Sequence, residues 1–398
     1  MKSSGRPKGS DVGNKAALSS ADAPPTTRFL MDAPLSVLLV AGPFQVRGAC
    51  ACTLRLAEGL AAVGIQARIL TPNADCVAPG RRQRLAISVT PRLAMPVWGN
   101  VVREALSRDL SHDPPDLIHI QSWSAYPAGA ALARRLKRPF LLTAYDHRSN
   151  ERHNDFDWRW GRRIIAVSQS VRADLLSRAR FRPEMVCVIH AGVDVAPPAG
   201  IPVILSPDRV PVIGTAGPLE VAKGHVFFLG AAQRVVAVRP DTEFLIAGSG
   251  PEEQNLRRLA RELGLSRNVT FISSGCDFTP ALSAMDIFCL PSLRQGLGTI
   301  MLEAMALGRP VIASGVGGVC SVIRNPQIGL IVPPSDSTRL AERMLELLDD
   351  PVRARALGET GRQLVTEEFT AQRMVAQTAA LYREVLAGEC ARPHVVAT

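Results

Sequence analysis

Apolar residues in this chain fall in short unbroken runs, separated by stretches where they recur every three or four positions. Val37–Val40, Ala67–Leu70, Leu117–Ile120, Phe140–Leu142, Ile164–Val167 and Val186–Ile189 read as buried strands. Between the first two, Leu56, Leu60 and Val63 lie at i, i+4 and i+7 of a helix that Gly64 ends. The rhythm restarts with Val212–Gly214, a helix over Gly224–Val238, the strand Glu243–Ala247 and a helix carrying Leu256, Leu259 and Leu263, closed by Gly264. Next come the strand Ile287–Leu290, a tight turn flanked by Gly296 and Gly298, an apolar helix from about Thr299 to Leu307 with Gly308 past its end, and the strand Pro310–Ala313. Alternation of this kind predicts an α/β protein with parallel sheets covered on both faces.

The pattern breaks at Pro197–Pro202, PPAGIP, the best linker candidate. With 398 residues there is enough chain for two domains, each with its own core. The expected layout is a polar, disordered lead over 1–32, a first Rossmann-like domain over 33–196, a linker over 197–204 and a second Rossmann-like domain over 205–370. A last helix over 371–388 and a tail over 389–398 complete it. Two doubly wound domains joined this way face each other across a cleft at their C-terminal strand ends, where ligands usually bind.

Composition narrows the options. An apolar share of 46% with 21% charged residues is ordinary for a soluble enzyme, and no apolar run approaches a membrane span. The lead lacks the apolar core of a secretory signal, and the eight cysteines include no C-x2-C pair. These features fit a reduced cytoplasm without structural zinc. The net charge of +10 comes largely from arginines such as Arg81, Arg82, Arg84, Arg159, Arg162 and Arg163. They read as a solvated surface, with peripheral contact to an anionic membrane at its inner face as the sharper option. No nucleic-acid recognition motif accompanies the charge.

Candidate chemistry concentrates in Pro291–Ser314, PSLRQGLGTIMLEAMALGRPVIAS. A strand, a glycine turn and a helix N-terminus leave N–H groups free for an anion. Glu303, one turn into the helix, can accept hydrogen bonds from two vicinal hydroxyls such as those of a ribose; alternatively it pairs with a neighbouring arginine such as Arg309. Lys223, before Gly224 at a predicted helix start, can meet a diphosphate or can be a solvated surface lysine. Two weaker patterns carry less. Asp155–Phe156–Asp157 is a D-x-D in a polar, His-rich stretch, and Gly248–Ser249–Gly250 is an incomplete dinucleotide fingerprint with Glu253 at its third glycine.

Over roughly residues 35–388 the chain resembles the family-4 retaining glycosyltransferases, which have the GT-B fold. Glu303 matches the second glutamate of their E-x7-E signature, while Gln295 stands at the first. Gly217–His225, GPLEVAKGH, resembles their G-R-L-x-x-x-K-G phosphate loop, with Lys223 kept and Pro218 at the arginine. Phe244–Glu252, FLIAGSGPE, resembles the strand and G-x-G-P-E that follow. Val188–Asp194 resembles the N-G-V-D turn with Ala191 at the asparagine, and Gly315–Val322 resembles V-G-G-x-x-E-V with Ser321 at the glutamate.

The resemblance implies an enzyme that transfers a sugar from a nucleotide-diphosphate sugar to a glycan, lipid or small-molecule acceptor, with retention and no metal or other cofactor. It implies a last helix returning to the first domain. Its site residues map onto Lys223, Gln295 and Tyr145 as catalytic positions. Donor binding maps onto Arg47, Gly48, Lys223, Gln295, Gly296, Leu297, Gly298, Thr299 and Glu303. Tyr145 stands where many relatives hold a histidine. Arg47 stands where they commonly hold a glycine, and is the candidate replacement for the cation missing at Pro218. The rival expectation is a regulatory protein on the same fold that binds nucleotide sugar with little turnover, which the five departures at Pro218, Gln295, Tyr145, Ala191 and Ser321 suggest. A nicotinamide-dependent oxidoreductase is disfavoured by the missing third glycine.

Overall fold

A computed structural model of the chain describes residues 34–44, 48–93, 98–147, 156–178, 181–195, 200–273 and 277–390. The first sheet contains β1 (Leu35–Val40), β2 (Ile65–Thr71), β3 (Ile87–Val89), β4 (Leu117–Ile120), β5 (Phe140–Ala144), β6 (Gly161–Ala166) and β7 (Val186–Val188). Their order is β3-β2-β1-β4-β5-β6-β7 and every pairing is parallel. The second sheet contains β8 (Val212–Ala216), β9 (Glu243–Ala247), β10 (Val269–Ile272), β11 (Ile287–Leu290), β12 (Val311–Ser314) and β13 (Leu330–Val332), in the parallel order β10-β9-β8-β11-β12-β13. The α/β, doubly wound class expected from the alternation is what the chain adopts.

The central strands are apolar because helices cover both faces. Val37, Leu39 and Val40 of β1, Leu117 of β4 and Ile287 of β11 are fully buried, and each such side chain contributes about 1.5–3 kcal/mol relative to exposure. The edges are different. β3 is only Ile-Ser-Val, with Ser88 and Val89 exposed, and β13 is Leu-Ile-Val with Ile331 exposed. Neither these nor β10 stands out as an apolar run, because a three- or four-residue edge strand buries too little to leave a pattern. In each sheet the chain reverses its direction of growth next to the first strand, between β1 and β4 and between β8 and β11. A crevice opens at such a switch point.

Residues 196–199 of the linker lie outside the described residues. Beyond them the chain is pinned to the second domain. Fully buried Asp286 accepts from the Leu205 amide at 2.7 Å and the Val212 amide at 2.8 Å, and pairs with Arg209. Arg309, also buried, donates to the Met285 carbonyl at 2.9 Å and the Pro202 carbonyl at 3.2 Å.

The chain re-enters the first domain through paired backbone bonds, Val193 N–H to Phe369 and Ala371 N–H to Val193, both 2.9 Å. The helix Ala371–Cys390 then packs along the helix Gly48–Ala62, so closely that a Cβ on Gly59 would stand 2.4 Å from Val375. Tyr382 from that last helix reaches His119 of β4, its hydroxyl 2.6 Å from Nδ1, while Nε2 lies 2.7 Å from the Thr143 hydroxyl. Burial pushes the His119 imidazole down to about 3, so it is neutral and bonded on both nitrogens.

Removing the hydroxyl in Tyr382→Phe leaves a buried ring nitrogen unpaired and should cost about 1–3 kcal/mol, read as a lower midpoint in urea. Because the folded imidazole resists protonation, stability from His119 is complete above about pH 6.5 and falls as pH drops toward 3. His119→Asn should show a weaker loss of stability over that interval.

Candidate functional site

A cavity of about 380 Å³ opens between the domains at the facing C-terminal strand ends. Its walls come from both. The first domain supplies Gly42, Gly48, Thr53, Gln121, Ser122 and Tyr145, and the second supplies Thr215, Pro218, Lys223, His225, Gln295, Leu297, Thr299 and Glu303. Three helices, Gly48–Ala62, His225–Val238 and Thr299–Ala306, begin at this cavity, and the residues at or just before their starts line it. Free N–H groups and aligned peptide dipoles therefore make the space electropositive.

Local backbone geometry sets these ends. Gly298 has φ of +93° and Gly224 of +66°, left-handed conformations that let the loop after each strand turn into the helix that begins at the next residue. The loop from Gly217 to Lys223 rests on the Gly248–Gly250 turn. The Leu219 amide donates to the Ser249 carbonyl at 2.9 Å, and a Cβ on Gly248 would lie 1.9 Å from the Gly217 carbonyl oxygen. Gly248 and Gly250 do not line the cavity; they are small so that the loop above can sit on them.

Lys223 donates from Nζ to Gln295 Oε1 at 3.0 Å, and the Ser292 hydroxyl approaches the same oxygen at 3.3 Å. The amide is thus oriented with its carbonyl on the cation and its NH2 group left for a ligand. His225 donates from Nε2 to the Pro218 carbonyl at 3.2 Å, and burial pushes its imidazole down to about 4, leaving it neutral. Its Nδ1, the Thr215 hydroxyl and the Gln121 Nε2 are buried in the cavity wall without a partner among the described residues. Across the cleft, Gln121 Oε1 takes the Thr53 hydroxyl at 3.2 Å and the Tyr145 hydroxyl at 3.5 Å. Burial raises the Tyr145 phenol well above its ordinary range, so it keeps its proton at neutral pH. In that state its hydroxyl faces Gln121.

Glu303 is ion-paired, but not with Arg309, which is committed to the linker. Its Oε1 lies 2.8 Å from Nη2 of Arg55, on the first-domain helix Gly48–Ala62. Arg55 Nε lies 2.9 Å from Asp194 Oδ2 in the V-D turn. The Glu303 carboxyl is raised by burial and opposed chiefly by the Arg55 guanidinium. Sequence patterning passes over Arg55, since it stands beside the Leu56 and Leu60 stripe like any helix-surface arginine.

The remaining expected positions fall as follows. Gly48, Gln295, Leu297, Gly298 and Thr299 line the cavity. Gly296 abuts it, its carbonyl held by the Ser168 hydroxyl of the first domain at 2.8 Å and by the Gly318 amide at 2.9 Å. Arg47 and Asp155 lie outside the described residues. Asp157 accepts from the Arg159 amide at 3.1 Å and lies 3.6 Å from Arg134, and Ser321 donates to the Gly318 carbonyl at 2.6 Å; neither lines the cavity.

Two family models match the chain in succession, Glycosyltransferase Family 4 over residues 46–197 and Glycosyl transferases group 1 over residues 201–364. The chain is similar to the GDP-mannose-dependent monoacylated alpha-(1-6)-phosphatidylinositol monomannoside mannosyltransferase of Corynebacterium glutamicum, 41% identical over 172 residues, which is 41% of this chain and 44% of that protein. It is similar to the 2-deoxystreptamine glucosyltransferase of Streptomyces kanamyceticus, 26% identical over 84% of this chain and 98% of that one. Among solved structures, Anabaena Alr3699/HepE in complex with UDP and glucose superposes with a TM-score of 0.74 at 19% identity, covering 88% of this chain and 99% of that one. Sucrose-phosphate synthase from Thermosynechococcus elongatus gives 0.73 at 23% identity, covering 89% and 100%.

A Cβ on Gly296 would stand 1.8 Å from the Tyr145 carbonyl oxygen, across the domain boundary. Gly296→Ala should therefore wedge the cleft open without unfolding either domain. Small-angle scattering should give a larger radius of gyration at an unchanged circular-dichroism spectrum; an unchanged radius would mean that the loop yields instead.

Proposed function

We propose a function from one premise: the chain belongs to glycosyltransferase family 4 and has the GT-B fold. The proposed reaction moves a sugar from a nucleotide-diphosphate sugar to a hydroxyl of a glycan, lipid or small-molecule acceptor, retaining the anomeric configuration and using no bound metal. One observation carries this reading: Lys223, three helix N-termini and a carboxylate meet at a single interdomain cavity.

The chemistry asks for stabilisation of a departing diphosphate next to a sugar that becomes cationic. Lys223 and the helix dipoles supply fixed positive charge where the diphosphate leaves. Arg47 is proposed as the second cation, since its neighbour Gly48 faces Thr299 so closely that a Cβ would lie 2.8 Å from the threonine hydroxyl. A guanidinium suits two phosphate oxygens because its planar fork binds both. Glu303 receives the ribose hydroxyls. The NH2 group of Gln295 donates to the donor sugar, and Gln121 with Ser122 faces the acceptor.

A second reading, a nucleotide-sugar binder with little turnover, is favoured by two features of the same cavity. Lys223 meets an amide where a carboxylate would also steady the cationic sugar, and Tyr145 holds its proton. Turnover assays separate the readings.

In a panel of UDP-, GDP- and ADP-sugars, hydrolysis or transfer should be detected with at least one donor. Lys223→Ala should lower that rate by about 100-fold, the usual order for losing one preorganised electrostatic group, and Arg47→Ala should lower it in the same direction. Binding without turnover by the unaltered chain would favour the second reading, and preference for NAD would sink both.

Gln295→Glu places a carboxylate next to Lys223. It should change turnover or sugar preference more than affinity for the free nucleotide, by steady-state kinetics and calorimetry on the same samples. Identical kinetics with every donor would put Gln295 outside the sugar site.

A further inference from the structure

Glu303 belongs to the second domain, yet its only charged partner in hydrogen-bond range among the described residues is Arg55 of the first. Both side chains are mostly buried, with relative exposures of 16% for Glu303 and 13% for Arg55. Arg55 is held at two points, by Asp194 through Nε and by Glu303 through Nη2, while Nη1 is buried without a partner among the described residues. The guanidinium takes one lone-pair direction of Glu303 Oε1. A carboxylate has about four such directions, so a vicinal diol arriving from the cavity, which Glu303 lines, still finds acceptors.

We propose that Arg55 is a positioning residue of the donor site: from the first domain it keeps the Glu303 carboxylate anionic and aimed for a nucleotide's vicinal diol. Ribose recognition in one domain then depends on a side chain of the other, so the donor site is complete only when the domains are together. The proposal rests on the ribose reading of Glu303.

The charges around the carboxylate explain why it needs this partner. Asp194 and Asp277 are both near enough to disfavour a further negative charge, and Cys52, one turn before Arg55, is a buried thiol pushed up to about 12 by burial and so uncharged. Burial acts on Glu303 in the same direction as the two aspartates. Arg55 is the group that opposes them. Without it the carboxyl takes up a proton at higher pH, and a protonated carboxyl accepts weakly from the diol. The sign follows: the carboxyl of a variant lacking the arginine titrates at a higher pH than in the natural chain, so its ribose recognition fades sooner as pH falls.

The test compares binding of UDP, GDP and ADP with that of their 2′-deoxy forms by calorimetry from pH 5.5 to 8.5, using the full chain and the variants Glu303→Gln, Arg55→Gln and Arg55→Lys. The natural chain should prefer the ribonucleotide throughout the neutral range. Glu303→Gln should abolish the preference at every pH; if it does not, the ribose reading itself fails, whatever Arg55 does. Arg55→Gln should keep the preference at pH 8.5 and lose it on acidification, by roughly tenfold per pH unit below the carboxyl's new pKa. Arg55→Lys should restore it at neutral pH. Arg55→Met, which keeps the packing of the stem, carries the same reading should Arg55→Gln fail to fold. A profile in the arginine-deleted variants that tracks the natural chain would overturn the proposal, as would loss of preference at every pH including 8.5.

Discussion

Among the places where backbone of one domain lies closer to the other than a Cβ allows, two set the shape of the cleft. Gly48 sits against Thr299, and Gly296 against the Tyr145 carbonyl. The Ser168 hydroxyl, itself capping a helix by accepting from the Val171 amide at 3.2 Å, donates to the Gly296 carbonyl and fixes the second approach. These contacts bring the starts of the helices Gly48–Ala62 and Thr299–Ala306 to opposite sides of one small space. Separated by several more ångströms, the same dipoles would face bulk water, where each is worth a fraction of its value in a dry cleft.

The charge distribution follows from that constraint. The space lined by helix N-termini and Lys223 favours negative charge, but burial and the nearby Asp194 and Asp277 disfavour charge on the Glu303 carboxyl, which therefore needs a cation of its own. Arg55 is that cation. A buried ion pair of this kind contributes little net stability, because desolvation offsets most of the attraction; its value lies in what it makes available to a ligand. Asp286, Arg209 and Arg309 show the contrasting use of buried charge. They bond the backbone on either side of the linker's exit and leave no group facing the cavity.

The final helix has a similar double character. It closes the first domain by covering the helix Gly48–Ala62, and it seats a hydroxyl on a histidine in the middle of β4. A neutral, doubly bonded imidazole at that depth satisfies its own polar atoms and fixes the register of the helix, which an apolar contact would specify less sharply.

How much of this was legible in the sequence differs from element to element. Leu117–Ile120, Glu243–Ala247 and Ile287–Leu290 are found where the apolar runs place them, because a strand covered on both faces is apolar at nearly every position, with His119 of β4 and the exposed Glu243 at the start of β9 as exceptions. Gly298, Gly308 and Gly264 mark helix ends legibly, since left-handed backbone selects glycine. Lys223 before its helix and the Glu303 helix are equally local, and so the resemblance to one glycosyltransferase family could be read from short motifs. What the sequence could not contain is the partner of Glu303. Arg55 lies 248 positions earlier (303 − 55) in an ordinary amphipathic helix, and nothing nearby sets it apart from the other arginines. The roles of Gly296, Ser168 and Tyr382 were hidden for the same reason. Local pattern reports which face of an element is buried; which distant side chain meets it is decided only when two sheets and a returning helix are packed together.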